Sequence, residues 1–174
     1  TSLRVRSRVS TATMATAYSQ TAKSPASGRS ASAASREVVI SVLPCACSVK
    51  AAVKQPVTFC ENYVPWQHKR RELVSELDFI SLHTYPVWEY KHVHDALDYS
   101  RENYRSVASL YPDKPVVISE AGWATNSNGR GICPENTSQD LQAIYYDDLM
   151  QWTGSEGILT FVFEAFDEPW KGSP

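Results

Sequence analysis

A chain of 174 residues is long enough for one well-cored domain, but a complete (β/α)8 barrel takes about 250. The formal net charge is only −2, yet Arg4, Arg6, Arg8, Lys23, Arg29 and Arg36 all precede or flank the first acidic residue, Glu37, and the balance beyond it is acidic. An acidic body with 11% aromatic residues argues against nucleic acid as a partner and suits a neutral, polar ligand. No apolar run approaches the ~20 residues that span a bilayer, so no membrane partner is expected.

Residues 1–48 form a Ser-, Ala- and Arg-rich segment with neither helical nor alternating apolar periodicity, and it is expected to be disordered and to build no core. Its composition fits an organellar transit peptide. The competing and preferred reading is non-native sequence, such as that produced by a reading-frame error upstream of Val49.

From Val49 to the C-terminus, 49–174, short apolar runs alternate with amphipathic stretches. The runs Pro56 to Cys60, Leu77 to Leu82, Pro115 to Ser119 and Gly157 to Phe163 are continuous rather than strictly alternating, as strands covered on both faces are. Between them, Leu73, Val74 and Leu77 share one helical face, and Val93, Leu97, Tyr104, Val107 and Tyr111 share another. A third face holds Leu141, Ile144, Tyr145, Leu149 and Trp152, entered through the cap residues Asn136, Thr137 and Ser138 and left at Gly154. Four strands spaced about 30 residues apart predict an α/β fold with a parallel sheet, corresponding to half of a (β/α)8 barrel. No G-x-G-x-x-G or Walker sequence favours a nucleotide-binding sheet instead.

The four cysteines, Cys45, Cys47, Cys60 and Cys133, lack paired zinc-site spacing, and Cys60 in its apolar run reads as a core thiol. His92 and His94 are two residues apart, which on a helix sends them to different faces, so they read as a solvated helix start. No metal site is expected.

Parallel α/β arrays collect their chemistry at the C-terminal ends of strands. Here those ends carry Glu61 and Trp66, then His83, Tyr85 and Trp88, then Glu120 and Trp123, and last Glu164, Asp167, Glu168, Trp170 and Lys171. A sugar stacks its apolar C–H face on indole and offers its hydroxyls to carboxylates, amides and Lys, so this set describes a carbohydrate site. Trp123 and Trp170 are expected as platforms or pocket walls, Trp152 as core, and Trp66 and Trp88 remain open between the two. Glu61 is a plausible sugar ligand, and His83 is the histidine expected in the cleft. Asn136-Thr137-Ser138 also satisfies the N-glycosylation pattern, which capping explains equally well.

Pro115-Val116-Val117-Ile118-Ser119-Glu120-Ala121-Gly122-Trp123 resembles the nucleophile strand of family 17 glycoside hydrolases, the β-1,3-glucanases and related glucan transglycosylases. Phe163-Glu164-Ala165-Phe166-Asp167-Glu168-Pro169-Trp170-Lys171 resembles that family's last-strand motif. The resemblance, which runs from about Val49 to Pro174, implies the C-terminal half of a TIM barrel. It implies Glu120 as nucleophile, Glu168 and Lys171 as substrate ligands beside it, Tyr85 as the active-site tyrosine, and no cofactor. It also implies an oligo- or polysaccharide substrate and a place outside the cell or in its envelope.

The family's general acid is a Glu following Asn at the end of the fourth strand, and no Asn-Glu dipeptide occurs in this sequence. The expectation is therefore a retaining β-glucan hydrolase of low activity as it stands. A non-catalytic glucan-binding fragment and a transglycosylase are the alternatives. Open barrel edges invite self-association.

Overall fold

The computed structural model describes residues 45–68, 71–127, 132–164 and 166. It opens with a helix, α1, described over 45–52. The helix runs through the expected boundary at Val49, and Ala46 is buried among core residues. There follow β1 (Cys60–Asn62), α2 (Tyr63–His68), α3 (Arg71–Val74), β2 (Ile80–Thr84), a 3-10 turn (Pro86–Glu89), α4 (Val93–Ala108), β3 (Val116–Ala121), a second 3-10 turn (Pro134–Asn136), α5 (Gln139–Glu156) and β4 (Thr160–Val162).

The four strands form one parallel sheet in the order β1-β2-β3-β4, each joined to the next by helical connections as parallel pairing requires. The predicted half-barrel α/β fold is thus present. Each ladder begins about three residues later than its apolar run, except in β3. In the first two cases the leading residues are still held by other bonds: the Val57 N–H donates to Asp78 Oδ2 at 2.8 Å and Thr58 Oγ1 to the Phe79 carbonyl at 2.7 Å.

The sheet turns one face to the helices. Ile80, Leu82 and Val116 pack with Phe59, Trp66, Leu73, Val74, Leu77 and Val107, while Ile118 and Ala121 pack with Val93, Ala96, Tyr145, Leu149 and Trp152. Each fully buried aliphatic side chain here contributes about 1.5–3 kcal/mol relative to exposure. Trp66, left open by sequence, is fully buried; its indole N–H lies 3.2 Å from both the Glu61 and the Ser81 carbonyls.

In α4 the buried residues Val93, Ala96, Ser100, Asn103 and Val107 recur at the three- and four-residue spacing of one helical stripe. Asn103 donates to Thr84 Oγ1 at 3.2 Å, and Ser100 shares a 2.8 Å hydrogen bond with Tyr145 of α5. Burial pushes the Tyr145 phenol up to about 12, so that bond joins two neutral hydroxyls.

The third helix departs from expectation at two points. Ile144, expected on the buried face, is 40% exposed, because the stripe follows Tyr145, Leu149, Trp152 and Thr153. The helix also passes through Gly154 and ends at Gly157, whose φ of 67° supplies the left-handed cap and whose N–H bonds the Thr153 carbonyl. Ser138 caps the other end, its side chain accepting the Leu141 N–H at 3.1 Å. Among the described residues, no helix is long and apolar enough to cross a membrane.

Candidate active site

The opposite face of the sheet is polar. On β2 the alternation that sends Ile80, Leu82 and Thr84 toward the helices sends Ser81 and His83, and then Tyr85, to the other side. Cys60 of β1 joins this face: Ser119 Oγ lies 4.0 Å from its Sγ. The thiol is only partly buried, which corrects the expectation of a core cysteine. Burial still pushes it up against the opposing hydrogen bonds of Ser81 and Ser119, so it stays a neutral thiol.

A bulge in β3 aims the central carboxylate. Leu82 pairs with Ile118, but the next residue, His83, pairs with Glu120, so Ser119 is skipped. Across the other ladder, Ile118 faces Thr160 and Ala121 faces Val162, again with one extra residue on β3. Ser119 and Glu120 therefore stand consecutively on the polar face, and the strand returns to the helix side at Ala121. Bulges of this kind re-aim a side chain beside active sites.

Three expected residues meet there. Tyr85 donates its hydroxyl to Glu120 Oε2 at 2.6 Å, the short length of a charge-assisted bond. His83 Nδ1 lies 3.4 Å from the same oxygen. Burial lowers the His83 imidazole from its ordinary value, while the carboxylates of Glu120 and Glu61 pull the other way. The ring is thereby held toward its neutral form beside Glu120. His83 Nε2 is buried with no hydrogen-bond partner among the described residues. Glu61, on the neighbouring strand, accepts the Asn62 N–H through Oε1 at 3.1 Å.

Gly122 closes the site from behind. A Cβ there would stand 1.8 Å from the Phe163 carbonyl oxygen and 3.6 Å from Tyr85 Cε1, so only glycine admits this approach of β4's end. Phe163 in turn sets its ring edge-on to Tyr85, centroids 6.3 Å apart, and bonds the Ala121 carbonyl through its N–H at 2.9 Å.

Trp123 is not a platform. It is 3% exposed, leans on Tyr145 with ring centroids 5.6 Å apart, and donates its N–H to the Asn136 carbonyl at 3.0 Å. The chain turns at Gly122 and delivers the indole to the helix layer. Glu168, Trp170 and Lys171, with Asp167, lie outside the described residues. Glu164 follows β4 and is half-buried. His92 and His94 are exposed at the start of α4.

Trp88 and Tyr90, in and at the end of the turn that follows Tyr85, are exposed. Tyr90 had no motif to single it out.

Residues 29–174 match the family model of the BtgE/BtgC glycoside hydrolase domain. A probable glucan endo-1,3-beta-glucosidase of Aspergillus clavatus is 41% identical over 68 residues, 34% of this chain and 10% of that protein. A protein of the same description from Aspergillus terreus is 29% identical over 114 residues, 58% of this chain and 17% of that one. Among solved structures, the family 17 β-1,3-glucanosyltransferase of Rhizomucor miehei is 28% identical with a TM-score of 0.69, covering 76% of this chain and 49% of that one. An endo-laminarinase from Formosa Hel1_33_131 gives 26% and 0.63, covering 78% and 46%. The chain thus spans about half the length of these barrel enzymes and under a fifth of the curated relatives.

Proposed function

The chain belongs to the BtgE/BtgC glycoside hydrolase domain family, and on that premise we propose that it carries the nucleophile-bearing half of a retaining glycosidase acting on β-1,3-glucan. The observation that carries this is the 2.6 Å bond from Tyr85 to Glu120 Oε2. Held through one oxygen by Tyr85, with His83 Nδ1 3.4 Å from the same atom, the Glu120 carboxylate leaves its other oxygen to attack the anomeric carbon. The C1–O bond to the leaving sugar breaks as the ester to Glu120 forms, and the departing oxygen takes a proton from a second carboxyl ~5–5.5 Å from the first.

That second carboxyl lies beyond this site, so the chain's own turnover of glucan is low. Glu61, Glu168, Trp170 and Lys171 complete the substrate contacts, and no cofactor enters the chemistry. Water or a second glucan then takes the glycosyl group. The place of action is outside the cell or in its envelope, and exposed Phe161 and Val162 on β4 favour self-association through the sheet edge.

The test uses a substrate whose departure does not depend on that acid. A leaving group as weakly basic as dinitrophenolate departs without protonation, so dinitrophenyl β-laminaribioside probes the nucleophile alone. The expected result is a burst of dinitrophenolate with a glycosyl adduct on Glu120, and neither in Glu120→Gln. A burst that survives Glu120→Gln, or an adduct on another residue, rejects the assignment.

A further inference from the structure

We infer that Asn103, on the buried stripe of α4, is a positioning residue: it ties the ends of β1 and β2 to one another and so sets where Tyr85 meets Glu120. Asn103 is 3% exposed and Thr84 2%, and the Asn103 carboxamide donates to Thr84 Oγ1 at 3.2 Å. Thr84 is the last residue of β2 and directly precedes Tyr85, whose hydroxyl holds Glu120. A single peptide bond therefore separates the anchored side chain from the tyrosine that orients the nucleophile.

The same side chain reaches the end of β1. Asn103 is also hydrogen-bonded to the Tyr99 phenol, one helical turn back. The Tyr99 hydroxyl donates in turn to that of Tyr63 at 3.2 Å, the two rings edge-on with centroids 6.1 Å apart. Tyr63 directly follows β1 and stands two residues from Glu61. Lys91, beyond the turn after β2, sets its Nζ 5.0 Å over the Tyr99 ring, so Tyr99 is held from both strand ends. The backbone at Asn103 is tied to the same region, because its carbonyl accepts the Ser106 hydroxyl at 2.8 Å and Gln67 of α2 donates to that hydroxyl at 2.7 Å.

A carboxamide buried between a helix and a sheet costs free energy to desolvate, and its hydrogen bonds return little more than that cost. Val93, Ala96 and Val107 fill the same stripe of α4 with apolar volume alone. What Asn103 adds is direction, since a satisfied buried network favours one arrangement where apolar packing tolerates several. Ser100 supplies the comparison. It is a second buried polar residue on the stripe, but its hydroxyl bonds Tyr145 of α5 and the Ala96 carbonyl, both within the helix layer.

The inference rests on the nucleophile reading above, and its test separates the two. The dinitrophenolate burst rate and the melting temperature are measured for the full chain and for Asn103→Leu, Thr84→Val, Thr84→Ser and Ser100→Ala. Asn103→Leu, Thr84→Val and Ser100→Ala are all expected to melt lower, because each leaves a buried hydrogen bond unmade. Only the first two are expected to slow the burst, each about tenfold, less than the ~100-fold that a displacement of about 1 Å can cost. Thr84→Ser keeps the accepting oxygen and is expected to keep the rate. The double variant is expected to be no slower than the slower single one, because both substitutions cut the same bond. Should Asn103→Leu fail to fold, Thr84→Val reads that bond from its other end. A burst unchanged in Asn103→Leu or Thr84→Val, or an equal fall in Ser100→Ala, overturns the positioning role and leaves the nucleophile assignment standing. A parent chain without a burst overturns that assignment, and the positioning role with it.

Discussion

The two faces of β3 are built from one short strand yet obey opposite rules. On the helix side, Ile118 and Ala121 are wholly buried among apolar neighbours. On the other side, Ser119 and Glu120 are half-open and touch Cys60, His83 and Tyr85. The helix side is governed by volume, where any well-fitted apolar residue serves. The polar side is governed by register, since one extra residue in β3 decides whether His83 faces Glu120 or Ser119. Stability therefore belongs to one face and chemistry to the other, and substitutions should sort accordingly.

The largest expected effect falls on the helix side. Trp66→Ala removes the largest fully buried side chain, its edge-on contact with Phe59 at 6.2 Å, and the donor shared by the Glu61 and Ser81 carbonyls. A loss of about 3–5 kcal/mol is expected, read by denaturant unfolding. Because Tyr111 also donates to the Trp66 backbone carbonyl, which the substitution keeps, the helix should stay docked. A loss well under 1 kcal/mol would break the division of labour between the faces.

Gly122→Ala tests the seam between them. The new methyl would meet the Phe163 carbonyl, and the end of β4 must withdraw, at about 1–3 kcal/mol by analogy with overpacking. Dinitrophenyl laminaribioside cleavage should fall more than stability does, because Phe163 also braces the Tyr85 ring. Equal small effects on both would mean that β4 plays no part in holding the tyrosine.

Much of this was readable beforehand. The four strands and their order follow from apolar runs spaced by helical stretches, and Glu120, Tyr85 and His83 follow from the rule that strand ends carry chemistry. Hydrophobicity reports burial rather than ladder pairing, which is why the apolar run includes Val57 and Phe59 although the strand begins at Cys60. Cys60 and Trp123 failed for a related reason. Each sits in an informative run, but the face it takes depends on strand parity for Cys60 and on the turn at Gly122 for Trp123, and neither leaves a compositional mark. The bulge at Ser119 is equally silent in sequence.

A smaller effect separates hydrogen bonding from packing on the polar face. Tyr85→Phe keeps the ring against Phe163 and deletes only the hydroxyl on Glu120 Oε2. Stability should drop by about 1 kcal/mol, while the burst rate at Glu120 falls by a larger factor, because the carboxylate loses its fixed orientation. A rate unchanged within error would assign Tyr85 to packing alone.

The smallest effect is a pH slope. Burial lowers the His83 imidazole below its ordinary 6.5, with the Glu120 and Glu61 carboxylates opposing. The unfolded chain therefore binds a proton at a higher pH than the folded one does. Stability tied to this residue is fully present above about 6.5 and is lost as the pH falls below that value toward the folded pKa. One group can tilt the unfolding free energy by at most about 1.4 kcal/mol per pH unit, and partial exposure and the two carboxylates keep the real slope well below that. His83→Gln should flatten the profile just under pH 6.5 while leaving the plateau above it little changed. A slope of opposite sign in the wild type would mean that Glu120 and Glu61 outweigh burial and that the imidazole is held charged. In that case the residue beside the nucleophile would act as a fixed cation rather than as a neutral ring.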